Sequence, residues 1–156
     1  MAKVQTKVTI TSAQRDIAIS PLRRLFILIA RDVLAYEGSP PTRLHISFFS
    51  DSKTRDLHNK FFNDPSPTDC MTFPIDDIED AALPDGFLGE IVICPRTAIF
   101  ESLKQKNTPL YELKLYLVHA LLHLVGYRDE KSLDRKKMKA REKMHMLRLE
   151  KKGLSH

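Results

Sequence analysis

The sequence predicts a single α/β domain with one mixed sheet of roughly four strands and about five helices packed on it. Three observations support this fold class. Short β-branched and apolar runs alternate along the chain with longer segments of helical periodicity. Turn and cap residues separate these segments, and no repeat or low-complexity linker interrupts them. With 156 residues and 42% hydrophobic content, the chain can bury one sizeable core.

The first two predicted elements are a strand and a helix. Lys7–Thr11 alternates polar and β-branched residues, a pattern that favours a strand. Ser20-Pro21 is typical of a helix start, because proline suits the first helical turn. The helix ends before Gly38 and has one apolar stripe, formed by Leu22, Leu25, Ile29, Val33 and Tyr36.

A second strand and a second helix follow. Leu44–Phe49 is an almost continuous apolar run, which favours a strand that is largely buried. The polar segment Ser50-Asp51-Ser52 starts a helix that runs to about Phe62. Its spacing predicts that Leu57 and Phe61 face inward.

The middle of the chain contains two more predicted strands. A turn-rich loop leads into the short strand Cys70–Phe73, and Leu88–Cys94 forms another strand. Gly89 indicates a point where another group approaches the backbone closely. The segment between the strands is predicted to be an acidic loop. Residues 76–90 contain six acidic residues, Asp76, Asp77, Glu79, Asp80, Asp85 and Glu90.

Three helices complete the predicted domain. Pro95 begins a helix that extends to about Lys106, and Thr108-Pro109 caps and starts the next one. That helix is apolar on nearly all sides over Leu113–Val125, so we expect it to be buried at the centre of the fold. Glu130–Glu150 is predicted to be a last helix, amphipathic and basic.

Charge and cysteine content limit the class of protein. The formal net charge is +5 and the pI about 9.2, which favours polyanionic partners. Arg128–Lys152 contains eleven Lys or Arg and five Asp or Glu, either as a solvated helix face or as a surface for phosphates. Cys70 and Cys94 are expected to be small core residues of a protein in the reducing cytoplasm. A signal-peptide pattern and a membrane-length apolar run are both absent, so we expect a soluble protein.

One motif predicts a metal site on the central helix. His119 and His123 are four residues apart, so their imidazoles lie on one helix face. Gly126 stands where a left-handed C-terminal cap turns the chain back, and Asp129 can then bring a carboxylate to the histidines. Two imidazole nitrogens, one carboxylate oxygen and an open fourth position are typical of catalytic zinc. The spacing therefore predicts a hydrolytic metal centre.

The same spacing occurs in one class of zinc peptidases, the metzincins. Those enzymes have a glutamate directly after the first histidine, where it acts as the general base. This chain has Ala120 at that position. Because the proton acceptor is missing, peptide hydrolysis is a remote alternative.

Three segments match motifs of one known family. Residues 67–74, Pro-Thr-Asp-Cys-Met-Thr-Phe-Pro, match its P-T-D-V-L-S-F-P segment. Residues 88–93, Leu-Gly-Glu-Ile-Val-Ile, match its L-G-D-I-x-I strand. Residues 119–129 match its H-G-x-x-H-L-x-G-Y-D-H metal motif. The chain therefore resembles the YbeY family, bacterial metal-dependent endoribonucleases linked to ribosomal RNA maturation, over roughly residues 44–130.

The resemblance implies a catalytic metal ion, taken to be one Zn²⁺, with His119, His123 and Asp129 as both ligands and catalytic residues. The family usually has histidine at the third ligand position, where this chain has Asp129. Carboxylate is an accepted zinc ligand, and it shifts metal preference toward harder ions. Glu130 is the alternative third ligand if the turn is one residue longer.

A second departure lies in the helix that ends near residue 62. The family commonly has the pattern N-x-x-[FY]-R there, with the arginine implicated in activity. Aligned without gaps, this chain has Phe62 at the arginine position. Lys60 and Arg55 are the candidate substitutes from a neighbouring turn.

The resemblance implies that residues 1–156 form one endoribonuclease domain that cleaves single-stranded RNA in ribosomal RNA maturation and ribosome quality control. It also implies association with the small ribosomal subunit. The candidate RNA-binding residues are Arg96, Arg128 and Lys60, and Asp69 either lines the cleft or fixes its turn. A general base is not identifiable. Since the family arginine is missing, the alternative is a ribosome-associated RNA-binding protein whose metal is structural.

Overall fold

The computed structural model describes residues 5–74 and 87–154. Within these ranges the chain forms four strands and five α-helices. The strands are β1 (Lys7–Ala13), β2 (Arg43–Phe49), β3 (Cys70–Pro74) and β4 (Phe87–Ile93). The helices are α1 (Arg23–Tyr36), α2 (Asp51–Phe62), α3 (Pro95–Gln105), α4 (Pro109–Leu124) and α5 (Ser132–Lys151). The predicted α/β fold class is confirmed.

The sheet is mixed and has the strand order β1-β2-β4-β3. β1, β2 and β4 are parallel to one another, whereas β3 pairs antiparallel with β4 at one edge. Parallel neighbours need a crossover connection, which α1 provides between β1 and β2. The acidic loop predicted between β3 and β4 falls on residues 75–86, which lie outside the described residues.

Side-chain alternation gives the sheet two different faces. One face is apolar, and its fully or almost fully buried side chains are Ile10, Leu44, Ile46, Phe48, Ile91 and Ile93. The helices α1 and α4 pack there, and α4 also contacts α3, α5 and β3. The other face is polar and borders α2, with side chains that include Thr11, His45, Ser47 and Glu90. The predicted burial of α4 at the centre of the fold is confirmed.

Three predicted boundaries shift by a few residues. Ser20–Leu22 forms a 3-10 turn, so α1 begins at Arg23 rather than at Ser20-Pro21. Cys94 lies outside β4 because it is the N-cap of α3, and its side chain is fully buried as expected of a core thiol. α5 begins at Ser132, two residues later than predicted.

Two aromatic residues predicted to face the core are exposed instead. Tyr36 is at the end of α1, where its ring packs on the guanidinium of Arg148, 3.8 Å from the ring centroid. Phe61 is 55% exposed and contacts the ring of Phe73 at the sheet edge. In the described ranges, no helix is both long and apolar enough to cross a membrane.

Candidate metal centre

α4 brings the two histidines to the boundary between core and solvent. The hydroxyl of Thr108 caps the helix by accepting a hydrogen bond from the amide of Tyr111 at 3.1 Å. Pro109 occupies the first turn, where its missing N–H is not needed. The rest of the helix is largely buried, while His119 and His123 remain partly exposed.

The turn after α4 places Asp129 beside the histidines. Gly126 has a φ of +110°, and its amide donates to the carbonyl of His123 at 3.1 Å. The amide of Tyr127 donates to the carbonyl of Leu122 at 3.0 Å. These two bonds form a Schellman motif, which reverses the chain at a helix end. The turn predicted at Gly126 is therefore present.

Three electron-pair donors converge at this point. The Nε2 atoms of His119 and His123 are 3.0 Å apart. Oδ2 of Asp129 lies 3.1 Å from Nε2 of His123 and 3.4 Å from Nε2 of His119. Zn–N bonds of about 2.0–2.1 Å in a tetrahedral site imply ligand separations of about 3.3 Å, so the group fits one ion. Glu130, the alternative third ligand, is not part of this group in the described residues.

Neighbouring groups orient both imidazoles. Nδ1 of His123 lies 3.1 Å from the carbonyl oxygen of Tyr127, which can only accept a hydrogen bond. Nδ1 of His119 lies 3.1 Å from Oε1 of Glu142 on α5. Each Nδ1 is therefore placed to donate a hydrogen bond, and in the neutral imidazole the lone pair then lies on Nε2. Such support is usual for metal-binding histidines, and it directs both lone pairs toward Asp129.

Glu142 is a site residue that the sequence reasoning missed. It lies 23 positions from His119 and reaches it only because α5 packs on α4. Burial by itself lowers the pKa of His119, but the hydrogen bond and charge of Glu142 outweigh burial, and the pKa is raised. The charges of Asp69 and Asp129 act in the same direction as Glu142.

A cavity of about 200 Å³ adjoins the metal-binding side chains. Asp69 lines it, and its Oδ1 also accepts a hydrogen bond from the amide of Cys70 at 2.7 Å. Both roles that the sequence offered for Asp69, cleft residue and turn residue, are therefore compatible with the structure. Arg135 and Lys139 line the cavity from consecutive turns of α5. The sequence indicated a basic helix but not which of its residues face the site.

The predicted RNA-binding residues lie outside the lining of this cavity. The guanidinium of Arg96 is 3.2 Å from the carboxylate of Asp16 at an exposed position. The ammonium of Lys60 lies 5.4 Å from the ring centroid of Phe61. Arg128 is exposed in the turn next to the metal ligands. Their contact with RNA stays a prediction.

A buried carboxylate anchors the turn after α4. The side chain of Glu37 is 5% exposed and accepts hydrogen bonds from the hydroxyl of Tyr127 at 3.1 Å and from Nε of Arg141 at 2.7 Å. Nε2 of His145 is 2.7 Å from the same carboxylate. Burial tends to raise the pKa of Glu37, but hydrogen bonds from Arg141, His145 and Tyr127 outweigh it and lower the pKa to about 2. Tyr127 is thus fixed at its hydroxyl by Glu37, while its backbone carbonyl contacts the imidazole of His123.

Comparison with known proteins gives consistent similarities. The family model described as Endoribonuclease YbeY matches residues 7–150. A protein named Endoribonuclease YbeY from Protochlamydia amoebophila is 42% identical over 123 residues, which are 79% of this chain and 81% of that protein. Another of that name from Chlamydia felis is 34% identical over 155 residues, 97% of this chain and 96% of the relative. The solution structure of TM1509 from Thermotoga maritima has a similar fold, with a TM-score of 0.61, 23% identity and coverage of 88% and 85% of the two chains.

Proposed function

Because the chain belongs to the endoribonuclease YbeY family, it cleaves RNA in ribosomal RNA processing, and we propose that it does so at a metal ion held by His119, His123 and Asp129. The observation that carries this proposal is the convergence of three electron-pair donors within 3.4 Å beside a cavity. Zn²⁺ is the first candidate, since two imidazoles, one carboxylate and an open position are a typical catalytic zinc set.

Each neighbouring side chain has a distinct role in the proposed reaction. When bound, a metal ion acidifies a water molecule and neutralises charge on phosphoryl oxygens. Glu142 and the carbonyl of Tyr127 hold the two Nε2 atoms in position. Arg135 and Lys139 attract the phosphates on either side of the cleaved bond. Asp69 uses Oδ1 to fix its own turn, so Oδ2 is the atom that would accept a proton from water.

We propose single-stranded RNA as the form of the substrate. The cavity of about 200 Å³ beside α4 and α5 has the size of a single phosphodiester segment, and single strands are the form of RNA whose backbone can bend into such a site. Association with the small ribosomal subunit and a cytoplasmic location belong to the same proposal and rest on the family's link to ribosomal RNA. Cleavage near the ends of that RNA is the expected outcome.

The test is cleavage of a labelled single-stranded RNA by the purified protein and by His123→Ala, with metal content measured on the same samples. His58→Ala is the matched control, because His58 lies on α2, where its imidazole contacts Ser66 and Phe62 and lies outside the group of candidate ligands in the described ranges. We expect one metal ion per chain and cleavage for the natural protein and for His58→Ala, and neither for His123→Ala. Equal cleavage by His123→Ala would place the activity outside this centre.

The alternative function is an RNA-binding protein with a structural metal. The exposed Phe62 at the family's arginine position is the observation in its favour. This alternative predicts that neither the natural protein nor His123→Ala cleaves RNA while both bind it equally. The same experiment, extended by a binding measurement, therefore separates the two functions.

A further inference from the structure

The polar face of the sheet and α2 enclose a second cavity that the metal centre does not use. Its volume is about 610 Å³, about three times that of the metal cavity and within the range of small-ligand sites. The sheet forms one wall, where Phe49 and Phe73 lie beside hydroxyl, imidazole and carboxylate groups, and α2 forms the other wall with Lys53, Leu57 and Phe61. A cavity that combines polar groups with aromatic rings suits a flat ring with polar edges.

The polar wall is a connected set of hydrogen-bonding groups. The imidazole of His45 lies between two hydroxyls, with Nδ1 2.6 Å from Thr9 and Nε2 3.2 Å from Thr11. Oγ1 of Thr11 is also 3.1 Å from the hydroxyl of Ser47. Glu90 pairs with His45 in the strand register and points its exposed carboxylate into the same cavity. Among the described residues no hydrogen bond or ion pair engages that carboxylate, so it is available as an acceptor.

Two phenylalanine rings of α2 at this cavity are exposed to solvent. Phe61 is 55% exposed, and its ring contacts that of Phe73 edge-on at a centroid distance of 5.1 Å. Phe62 is 53% exposed and lies 6.3 Å from the ring of Phe73, beside the cavity but outside its lining. Lys53 also lines the cavity, and Lys60 lies over the ring of Phe61. Exposed rings with neighbouring lysines are the combination that single-stranded nucleic acid uses for stacking and phosphate contact.

The edge strand β3 connects this cavity with the metal cavity. Asp69, directly before β3, lines the metal cavity, and the charges of Asp129 and Glu142 act on the thiol of Cys70. Phe73 is three positions beyond Cys70, so it lines the second cavity from the face of β3 opposite the Cys70 thiol. Asp69 and Phe73 are four residue steps apart, a distance of about 13 Å along an extended strand. An RNA chain bound at the metal cavity therefore has to cross only the edge of β3 to reach the second cavity.

We propose that the second cavity binds an unpaired base of the RNA substrate, with the base stacked on Phe61 and its N–H groups donated to Glu90. Guanine fits best, because its Watson–Crick edge presents neighbouring N–H donors that one carboxylate can accept together. Lys53 then contacts a phosphate next to that base. The chain would thus select where a strand lies relative to the metal. This inference rests on the proposed function, because it assumes RNA as the substrate.

The test is a binding measurement that does not depend on cleavage. A fluorescently labelled oligouridine with one central guanosine and a cleavage-resistant 2′-O-methyl backbone is titrated with the holoprotein, and anisotropy gives Kd. We expect Phe61→Leu to weaken binding about 5-fold or more, as loss of one base–aromatic stack does. Phe100→Leu is the matched control, since Phe100 is 59% exposed on α3 and does not line the cavity. Equal Kd values for the two variants would overturn the proposal.

A second variant tests recognition rather than stacking. Glu90→Gln should abolish the preference for the guanosine oligonucleotide over one with adenosine at that position, while the fold and metal content stay unchanged. An unaltered guanosine preference in Glu90→Gln, or no preference in the natural protein, also contradicts the proposal and leaves the cavity for a protein partner. His123→Ala keeps the guanosine preference if the base site is independent of the metal. Failure of the base site and failure of the metal centre are therefore distinguishable.

Discussion

Nδ1 of His119 lies 3.1 Å from Oε1 of Glu142, and this contact joins the metal-binding helix to α5. The carboxylate of Glu142 is 14% exposed, so the hydrogen bond is largely shielded from water. It determines which imidazole nitrogen is protonated and therefore which one can bind a metal. The same face of α5 presents Arg135 and Lys139 to the metal cavity. One helix thus holds a candidate ligand and also places two cationic side chains at the cavity.

The first prediction concerns Glu142. Glu142→Gln retains the size of the side chain but removes the charge that holds the His119 imidazole, so we expect metal affinity to fall about 10- to 100-fold. Competition with a chromophoric chelator measures the affinity, and the visible spectrum of the Co²⁺ form reports ligand geometry. Glu150→Gln, at an exposed position of the same helix, is the control. Unchanged affinity and spectrum in Glu142→Gln would show that Glu142 does not position His119.

The second prediction concerns the third ligand. Asp129→Ala should lose most metal affinity, because only two imidazoles remain. Asp129→His, which restores the residue usual in the family, should retain one ion and shift preference from Mn²⁺ toward Zn²⁺, since imidazole is the softer ligand. Metal competition followed by elemental analysis measures the affinity of Asp129→Ala and the metal preference of Asp129→His. If Asp129→Ala binds zinc as tightly as the natural protein, Glu130 takes the ligand position instead.

The third prediction concerns Gly89. A Cβ at this position would lie 2.6 Å from the carbonyl oxygen of Phe73 and 2.9 Å from a methyl group of Leu124. Gly89→Ala should therefore lower the free energy of unfolding by about 1–3 kcal/mol, as overpacking does. Urea unfolding measures the loss. Gly153→Ala is the control, because nothing lies within 4 Å of its Cβ; a loss as large in that variant would mean that backbone conformation, not crowding, is responsible.

The fourth prediction concerns pH. The pKa of Glu37 is about 2 in the folded protein and 4.5 without the fold. Its contribution to stability is therefore complete above pH 4.5 and is lost as the pH falls from 4.5 toward 2. This lowering of the pKa corresponds to a contribution of about 3 kcal/mol to the free energy of unfolding. Urea unfolding at several pH values should show this slope in the natural protein and a flatter one in Glu37→Gln. The same dependence of unfolding free energy on pH in both proteins would contradict the role given to Glu37.

The fifth prediction concerns the basic rim of the metal cavity. Lys139→Ala should weaken RNA binding for all sequences alike and reduce the slope of log Kd against log salt by about 1. Lys137→Ala is the control, because Lys137 is exposed on α5 and does not line the cavity. Anisotropy titrations over a series of KCl concentrations give both slopes. Identical slopes for the two variants would mean that phosphates do not pass Lys139.

Local interactions explain why much of the fold and part of the candidate site could be predicted. The positions of His119, His123 and Gly126 follow from helix geometry and from the cap, which involve residues close together in the chain. The close approach expected at Gly89 is also present, with the backbone of Phe73 as the neighbour. Phe61 was placed wrongly because its periodicity is helical, whereas its exposure depends on how α2 lies against the sheet.

The element types, the central helix and the spacing of the three candidate ligands follow from local sequence, because hydrogen bonds and steric limits between near neighbours produce these features. The contact of Glu142 with His119 over 23 positions and that of Glu37 with Tyr127 over 90 arise only from the folded arrangement. It also places one cavity beside α4 and α5 and the other between the polar face of the sheet and α2. Such contacts depend on the packing of whole helices and strands, and no local pattern encodes which distant side chain will meet which.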